Sequence, residues 1–478
     1  MTPLVIPFGN ADFAALAPSF IVAIGALAAL IVDLALPPAS RRPAAIVVGA
    51  IALLVAGWLA IGGWGPPQLV FAQAFVTGTF TVLFEEIVVV AALLSLILMY
   101  AAGRDDQAAG AIALLLWSAS GAMLMAGAAN LMVIFLGLEL LSLGLYCLCG
   151  FAARPGARES ALKYLLLSST ASGVMLYGMA LLFGATGSVA LTALLAPSAS
   201  PVLLDLGVGL FLVGLAFKLS LVPFHQWTPD VFAGAPLPVT AFMSVVTKAG
   251  ALAVLARFVD GALPAGLADK LLVPVWILAG LSMIVGNVGA LAQTDLKRLL
   301  AYSGIAQLGY IVAALAGRTD AGLRSAIFYL MAYTFMNLGA FAVIALLSRD
   351  DDEGAQLPAF RGLAHRRPVL AGAMTFFLLA LAGLPPTAGF TGKILILSSS
   401  VGAGFAWLAL LLIVGTAISI YAYFKVARMM YAPSFGHGIA AAAPRSAIPW
   451  IGVVVCAIAV LVLALHPIGP TGALAALK

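Results

Sequence analysis

The chain has 478 residues, 64% hydrophobic and 9% charged, with a mean hydropathy of +1.15. Its apolar runs repeatedly exceed the roughly 20 residues that span a bilayer, which excludes a soluble fold. The net charge of +5 is spread over loops, with no basic patch interleaved with aromatics, so a nucleic-acid partner is not indicated.

Fourteen spanning helices are predicted in chain order, over residues 17–36, 44–63, 81–102, 108–127, 130–151, 160–184, 203–231, 236–259, 271–292, 297–316, 323–348, 368–399, 402–431 and 447–465. The first basic residue is Arg41, so no charged signal-peptide start is evident and the mature chain is expected to begin at Met1. Asp33 near the end of the first run, and Glu85 and Glu86 near the start of the third, read as solvated interfacial groups. The uncharged loops 63–79 and 185–201 read as short caps over helix ends. Cys147, Cys149 and Cys456 lie in apolar helices and imply no disulfide framework. The longest polar stretch, 349–367, carries Asp350, Asp351, Asp352 and Glu353 and reads as a solvated loop. Part of it, 354–363, is expected on the membrane surface.

Fifteen of the 23 Lys and Arg residues fall on the side of the loops after odd-numbered runs, five fall on the even side or at the C-terminus, and the remaining three are Lys218, Lys248 and Lys393. The bias places the first group in the cytoplasm and both termini on the far side. Lys218 stands five residues before Pro223 in the seventh run, and Lys393 stands seven residues after Pro386 in the twelfth. Breaks are expected at Pro223 and at Pro385 and Pro386, because proline frees a backbone carbonyl inside the membrane. The broken runs are five apart, and five is odd. Two five-helix units of opposite orientation are therefore expected, over 104–260 and 261–432, flanked by three helices in 1–103 and one in 433–478. The fold class expected is an all-α polytopic membrane protein with two inverted repeats.

Four ionisable groups stand mid-run. Glu139 in the fifth run needs a nearby cation to stay ionised, and Lys218 is available as its partner. The pair could work as a proton switch or merely hold helices together. Lys248 lies too deep to snorkel. It and Lys393 are candidate proton-exchange sites, or plugs for broken-helix carbonyls. Ser303, Gln307 and Tyr310 share one helical face, as do Tyr329, Tyr333 and Asn337. Such groups hold water between lysines, or simply bond neighbouring helices. His225, two residues after Pro223, is a candidate relay or a cap. No Walker A sequence, dinucleotide fingerprint or cysteine cluster is present, and the four histidines are scattered. No cofactor or metal is expected in this chain.

The stretch Phe217-Lys218-Leu219-Ser220-Leu221-Val222-Pro223-Phe224-His225-Gln226-Trp227-Thr228-Pro229-Asp230-Val231-Phe232-Ala233-Gly234-Ala235-Pro236 resembles the core signature of the antiporter-like subunits of proton-pumping NADH:quinone oxidoreductase, respiratory complex I. Residues 287–303, through Gln293-Thr294-Asp295-Leu296-Lys297-Arg298, resemble a second signature. The likeness spans most of the chain. Val231-Phe232 stands where the two larger subunits usually carry Ala-His. Gly234-Ala235-Pro236 and Lys393 are similar to the subunit N group, whereas glutamate is expected at the Lys393 position of the middle subunit. A long amphipathic C-terminal arm, expected of subunit L, is not seen. The resemblance implies that Glu139, Lys218, Lys248 and Lys393 carry the proton. One departure is the lack of a central charge in the tenth run, where Ser303 and Gln307 must suffice.

The resemblance further implies a bacterial inner-membrane subunit that translocates protons. Its partners would be neighbouring antiporter-like and other membrane-arm subunits, together with lipid. NADH, FMN, iron–sulfur clusters and quinone would be held by partner subunits. A subunit of a multisubunit sodium/proton antiporter and a non-pumping structural subunit are the alternative readings.

Overall fold

A computed structural model describes residues 9–101, 108–195, 200–261, 265–347, 355–433 and 447–466. The acidic run Asp350, Asp351, Asp352 and Glu353, His437 and Lys478 lie outside the described residues. Helix dominates, because in a bilayer each backbone N–H and C=O must be satisfied within its own segment. The first six predicted runs form α1 (Asn10–Ala35), α2 (Pro38–Ile61), α3 (Thr79–Ala101), α4 (Ala108–Gly127), α5 (Leu131–Cys149) and α6 (Pro155–Thr186). The seventh divides into α7 (Pro201–Leu219) and α8 (Trp227–Gly234). Then follow α9 (Leu237–Gly261), α10 (Ala265–Leu291), α11 (Leu296–Leu315), α12 (Asp320–Leu347) and the short α13 (Leu363–Arg366). The twelfth run divides into α14 (Pro368–Ala382) and α15 (Ala388–Gly402), and α16 (Ala406–Tyr431) and α17 (Pro449–Leu465) complete the order.

Twelve of these helices are long and apolar enough to cross a membrane, and α14 and α17 are shorter apolar helices. The protein is thus a multi-pass membrane protein. The loop after α2 is more than a cap: it forms a hairpin of β1 (Gln68–Val70) and β2 (Phe75–Thr77), paired antiparallel with Leu69 opposite Val76. This hairpin marks one end of the bundle. At the opposite end, residues 355–367 form a short 3-10 turn and α13, and Leu357 N–H bonds the carbonyl of Thr294.

Burial separates the centre from the rim. The most apolar 18-residue window is fully buried in α9 and 89% buried in α11, but only 39% in α1, α2 and α16 and 33% in α6. The rim exposes large apolar side chains such as Leu34, Trp58, Tyr177 and Tyr421, suited to lipid or to partner subunits. Small residues let helices meet closely, the usual device where lipid competes with apolar packing. A Cβ on Gly121 of α4 would lie 2.4 Å from the Leu141 backbone nitrogen of α5, and one on Gly178 of α6 would lie 2.7 Å from that of Phe211 in α7.

Both breaks fall where proline predicts them, and a residue in the left-handed region ends the preceding helix each time. Ser220 has φ 61° after α7, and Gly383 has φ 82° after α14. Pro223, Pro385 and Pro386 are themselves exposed. Ser282 Oγ of α10 accepts the N–H of Val222 at 2.9 Å, so α10 supplies part of what the first break leaves open. Cys147, Cys149 and Cys456 are free thiols.

Candidate functional site

Lys218, Lys248 and Lys393 are 1%, 1% and 4% exposed, although a buried charge needs partners to be tolerated. Each finds them beside a helix break. Lys218 sits on the last turn of α7 and donates to Tyr164 Oη at 3.2 Å and Ser168 Oγ at 3.3 Å, both on α6. Its Nζ is 5.1 Å from the Tyr164 ring centroid. Lys248 of α9 donates to Ser220 Oγ at 2.7 Å and stands 4.8 Å from the Trp227 ring centroid. Ser220 Oγ also accepts from Thr228 Oγ1 at 2.7 Å. Tyr164 and Trp227 stack with centroids 4.7 Å apart and planes 13° apart. The two lysines therefore lie against a shared pair of aromatic rings, which offer attraction to cations without competing charge.

The second break is built alike. Lys393 of α15 donates to the Ala382 carbonyl at the end of α14, at 2.9 Å, and its Nζ lies 4.9 Å from the Tyr310 ring centroid. Gln307 Nε2 donates to the neighbouring Leu381 carbonyl at 3.0 Å, so two C-terminal carbonyls of α14 are satisfied by side chains of other helices. Tyr329 donates to Gln307 Oε1, Asn287 Nδ2 donates to Tyr310 Oη at 2.7 Å, and Ser303 pairs with Tyr423. Asn337 of α12 donates to Ser244, one turn before Lys248 on α9, so α12 presents a buried polar group to the helix that carries Lys248. Tyr333 is buried, with its hydroxyl against Gly304 of α11.

Three expectations need correction. Glu139 is half-buried rather than enclosed, and it forms no ion pair with Lys218 among the described residues. The Lys218 ammonium is instead taken by α6 hydroxyls, and Tyr146 of α5 meets Tyr164 edge-on at 5.0 Å. Oε1 of Glu139 is shielded and lacks a protein hydrogen bond. Glu85 is not a solvated group but 2% exposed, with Oε1 unpartnered, because α2, α4 and α9 pack around α3. Glu86 is half-buried and packs beside Gly57 of α2. His225 is half-buried, its ring 6.4 Å from that of Tyr302, and its Nδ1 has no hydrogen-bond partner.

Two cations missed in the sequence also turn inward. Lys297, counted with the loops, is 1% exposed and donates to the Ala235 carbonyl at 2.7 Å. Arg257, near the end of α9, donates to Thr81 Oγ1 at 2.6 Å and to the Ala126 carbonyl at 3.0 Å. A basic residue at a predicted boundary gives no signal of which way it points. Among the described residues no group of His, Cys, Asp or Glu could hold a metal ion.

Broken apolar helices with enclosed lysines on linked polar side chains define an antiporter-like membrane subunit. The chain belongs to the NADH:quinone oxidoreductase/Mrp antiporter transmembrane family, whose model matches residues 128–419, and to its subunit N branch. It is 42% identical over 428 residues to NADH-quinone oxidoreductase subunit N 1 of Symbiobacterium thermophilum, covering 87% of each chain. It superposes on a chain of respiratory complex I from Thermus thermophilus with TM-score 0.82 and 35% identity, covering 96% of this chain and all of that one. A chain of the Mrp complex from Dietzia shares the fold at TM-score 0.83 and 20% identity, with 97% of each chain covered.

Proposed function

We propose that this chain translocates protons as a membrane-arm subunit of NADH:quinone oxidoreductase. NADH oxidation and quinone reduction, with FMN and iron–sulfur clusters, belong to partner subunits, and neighbouring antiporter-like subunits flank this one. The protein lies in the bacterial inner membrane, with both termini on the periplasmic side. One observation carries the reading: three enclosed lysines stand at two helix breaks, each among buried hydroxyl, amide or phenol groups. A lysine held in so dry a site can take and release a proton near neutral pH, unlike arginine. Glu139, open on one side, is where the path meets a neighbour. Two inverted units, 104–260 and 261–432, account for the paired breaks. The kinship of sequence favours this over sodium/proton antiport, since the likeness to the Mrp chain is one of fold.

The test is Lys218→Ala in the purified complex, reconstituted in vesicles. Tyr164 and Ser168 lose their cation, and pumping should fall while NADH oxidation by an artificial acceptor persists. Wild-type pumping by a fully assembled variant would reject the reading.

A further inference from the structure

The helix α8 has eight residues, too few to hold a helix without outside contacts. Its tethers therefore set where it stands. On one flank Asp230 accepts from Arg298 Nη1 of α11 at 2.6 Å and from Lys163 Nζ of α6 at 3.1 Å. At its C-terminal end the carbonyl of Gly234 accepts from Arg154 at 2.9 Å, and that of Ala235 accepts from Lys297 at 2.7 Å. Cations there complement the helix dipole. Toward its N-terminal end are Trp227, under the Lys248 ammonium, and Thr228, which donates to the hydroxyl that Lys248 uses. Thr228 and Asp230 are two positions apart, about 200° around the helix, so they face nearly opposite ways. One edge of α8 thus lies in a charge cluster and the other in the lysine site.

We propose that Asp230 is a positioning residue: the Lys163–Asp230–Arg298 bridge latches α8, and the latch sets where Trp227 and Thr228 stand against Lys248. The bridge joins α6 to α11, and so joins the two proposed units through one carboxylate. Its members are 42%, 39% and 34% exposed, and exposed ion pairs add little to stability. The latch therefore acts on geometry rather than on assembly. With the bridge cut, α8 pivots about its clamped C-terminal end, and Thr228 and Trp227 leave the Lys248 ammonium. The inference rests on the reading that Lys248 exchanges protons.

The experiment uses the complete complex in vesicles, with protons moved per NADH oxidised as the readout. Asp230→Asn should assemble, keep NADH oxidation by an artificial acceptor, and lose pumping roughly tenfold, since a displacement of about 1 Å can cost ~100-fold. Asp230→Glu, which keeps the charge, should regain most of it. Arg298→Gln should match Asp230→Asn, and the double variant should be no worse than either alone, as for residues in one network. Should Asp230→Asn not assemble, Arg298→Gln reads the same latch from α11. Normal pumping by the assembled single variants, or losses that multiply in the double, would overturn the latch. Lys248→Met separates the two ideas: if it pumps normally, the proton-path reading fails, whereas if it is silent and Asp230→Asn is normal, only the latch fails.

Discussion

Lys393 distinguishes a proton carrier from a plug. Its ammonium donates to the Ala382 carbonyl at 2.9 Å and lies 4.9 Å from the Tyr310 ring centroid, so it closes the open end of α14. Lys393→Met keeps the length of the side chain and removes the charge. The lost hydrogen bond to a charged donor is worth about 1.5–3 kcal/mol, and the cation–π contact about 0.5–2 kcal/mol. Against this, burying a lysine at membrane depth costs about 2.5–3.5 kcal/mol, which the methionine avoids. The two sides nearly cancel, so the variant should lose no more than about 2.5 kcal/mol of stability and should assemble. Pumping by the reconstituted complex should nonetheless be lost if Lys393 carries protons. Lys393→Arg keeps the charge and a donor for Ala382, but arginine holds its proton at every working pH. A carrier should therefore fail as arginine, whereas a plug should be replaced well by it. Normal pumping by an assembled Lys393→Arg complex would refute the carrier role and leave the plug.

Two further outcomes are expected. In a cysteine-free background, a cysteine at position 69, on the exposed face of the hairpin, should react with a membrane-impermeant reagent from the periplasm, and one at exposed position 158 should not; the reverse pattern would invert the topology. Asp295 caps α11 by accepting the N–H of Arg298 at 2.9 Å, and burial raises its carboxyl above the ordinary range against the pull of the nearby Arg298 and Lys297. The native state then binds a proton before the unfolded state does, so acidification from pH 7 toward about 4 should raise the Tm of wild type relative to Asp295→Asn, which keeps a capping oxygen; a difference independent of pH would contradict this.

Some features were decided by the chain alone. Runs of apolar residues too long for a soluble core can be satisfied only by spanning helices, so the helical class and nearly every segment could be read from composition and period. Pro223, Pro385 and Pro386 marked both breaks, because proline removes a donor and clashes with the preceding turn. Lysines deep in apolar runs had to be enclosed and partnered, and Lys218, Lys248 and Lys393 are. Which partner each takes was beyond the sequence, because it depends on side chains distant in the chain. Lys218 turns to Tyr164 and Ser168, not to Glu139. Glu85 is buried because α2, α4 and α9 pack around α3, a fact absent from its local pattern. Lys297 read as an ordinary loop charge, and Asp230 drew no reading of its own, until α6, α8 and α11 converged. Local chemistry sets which groups need a partner, and only the packing of helices against one another selects it.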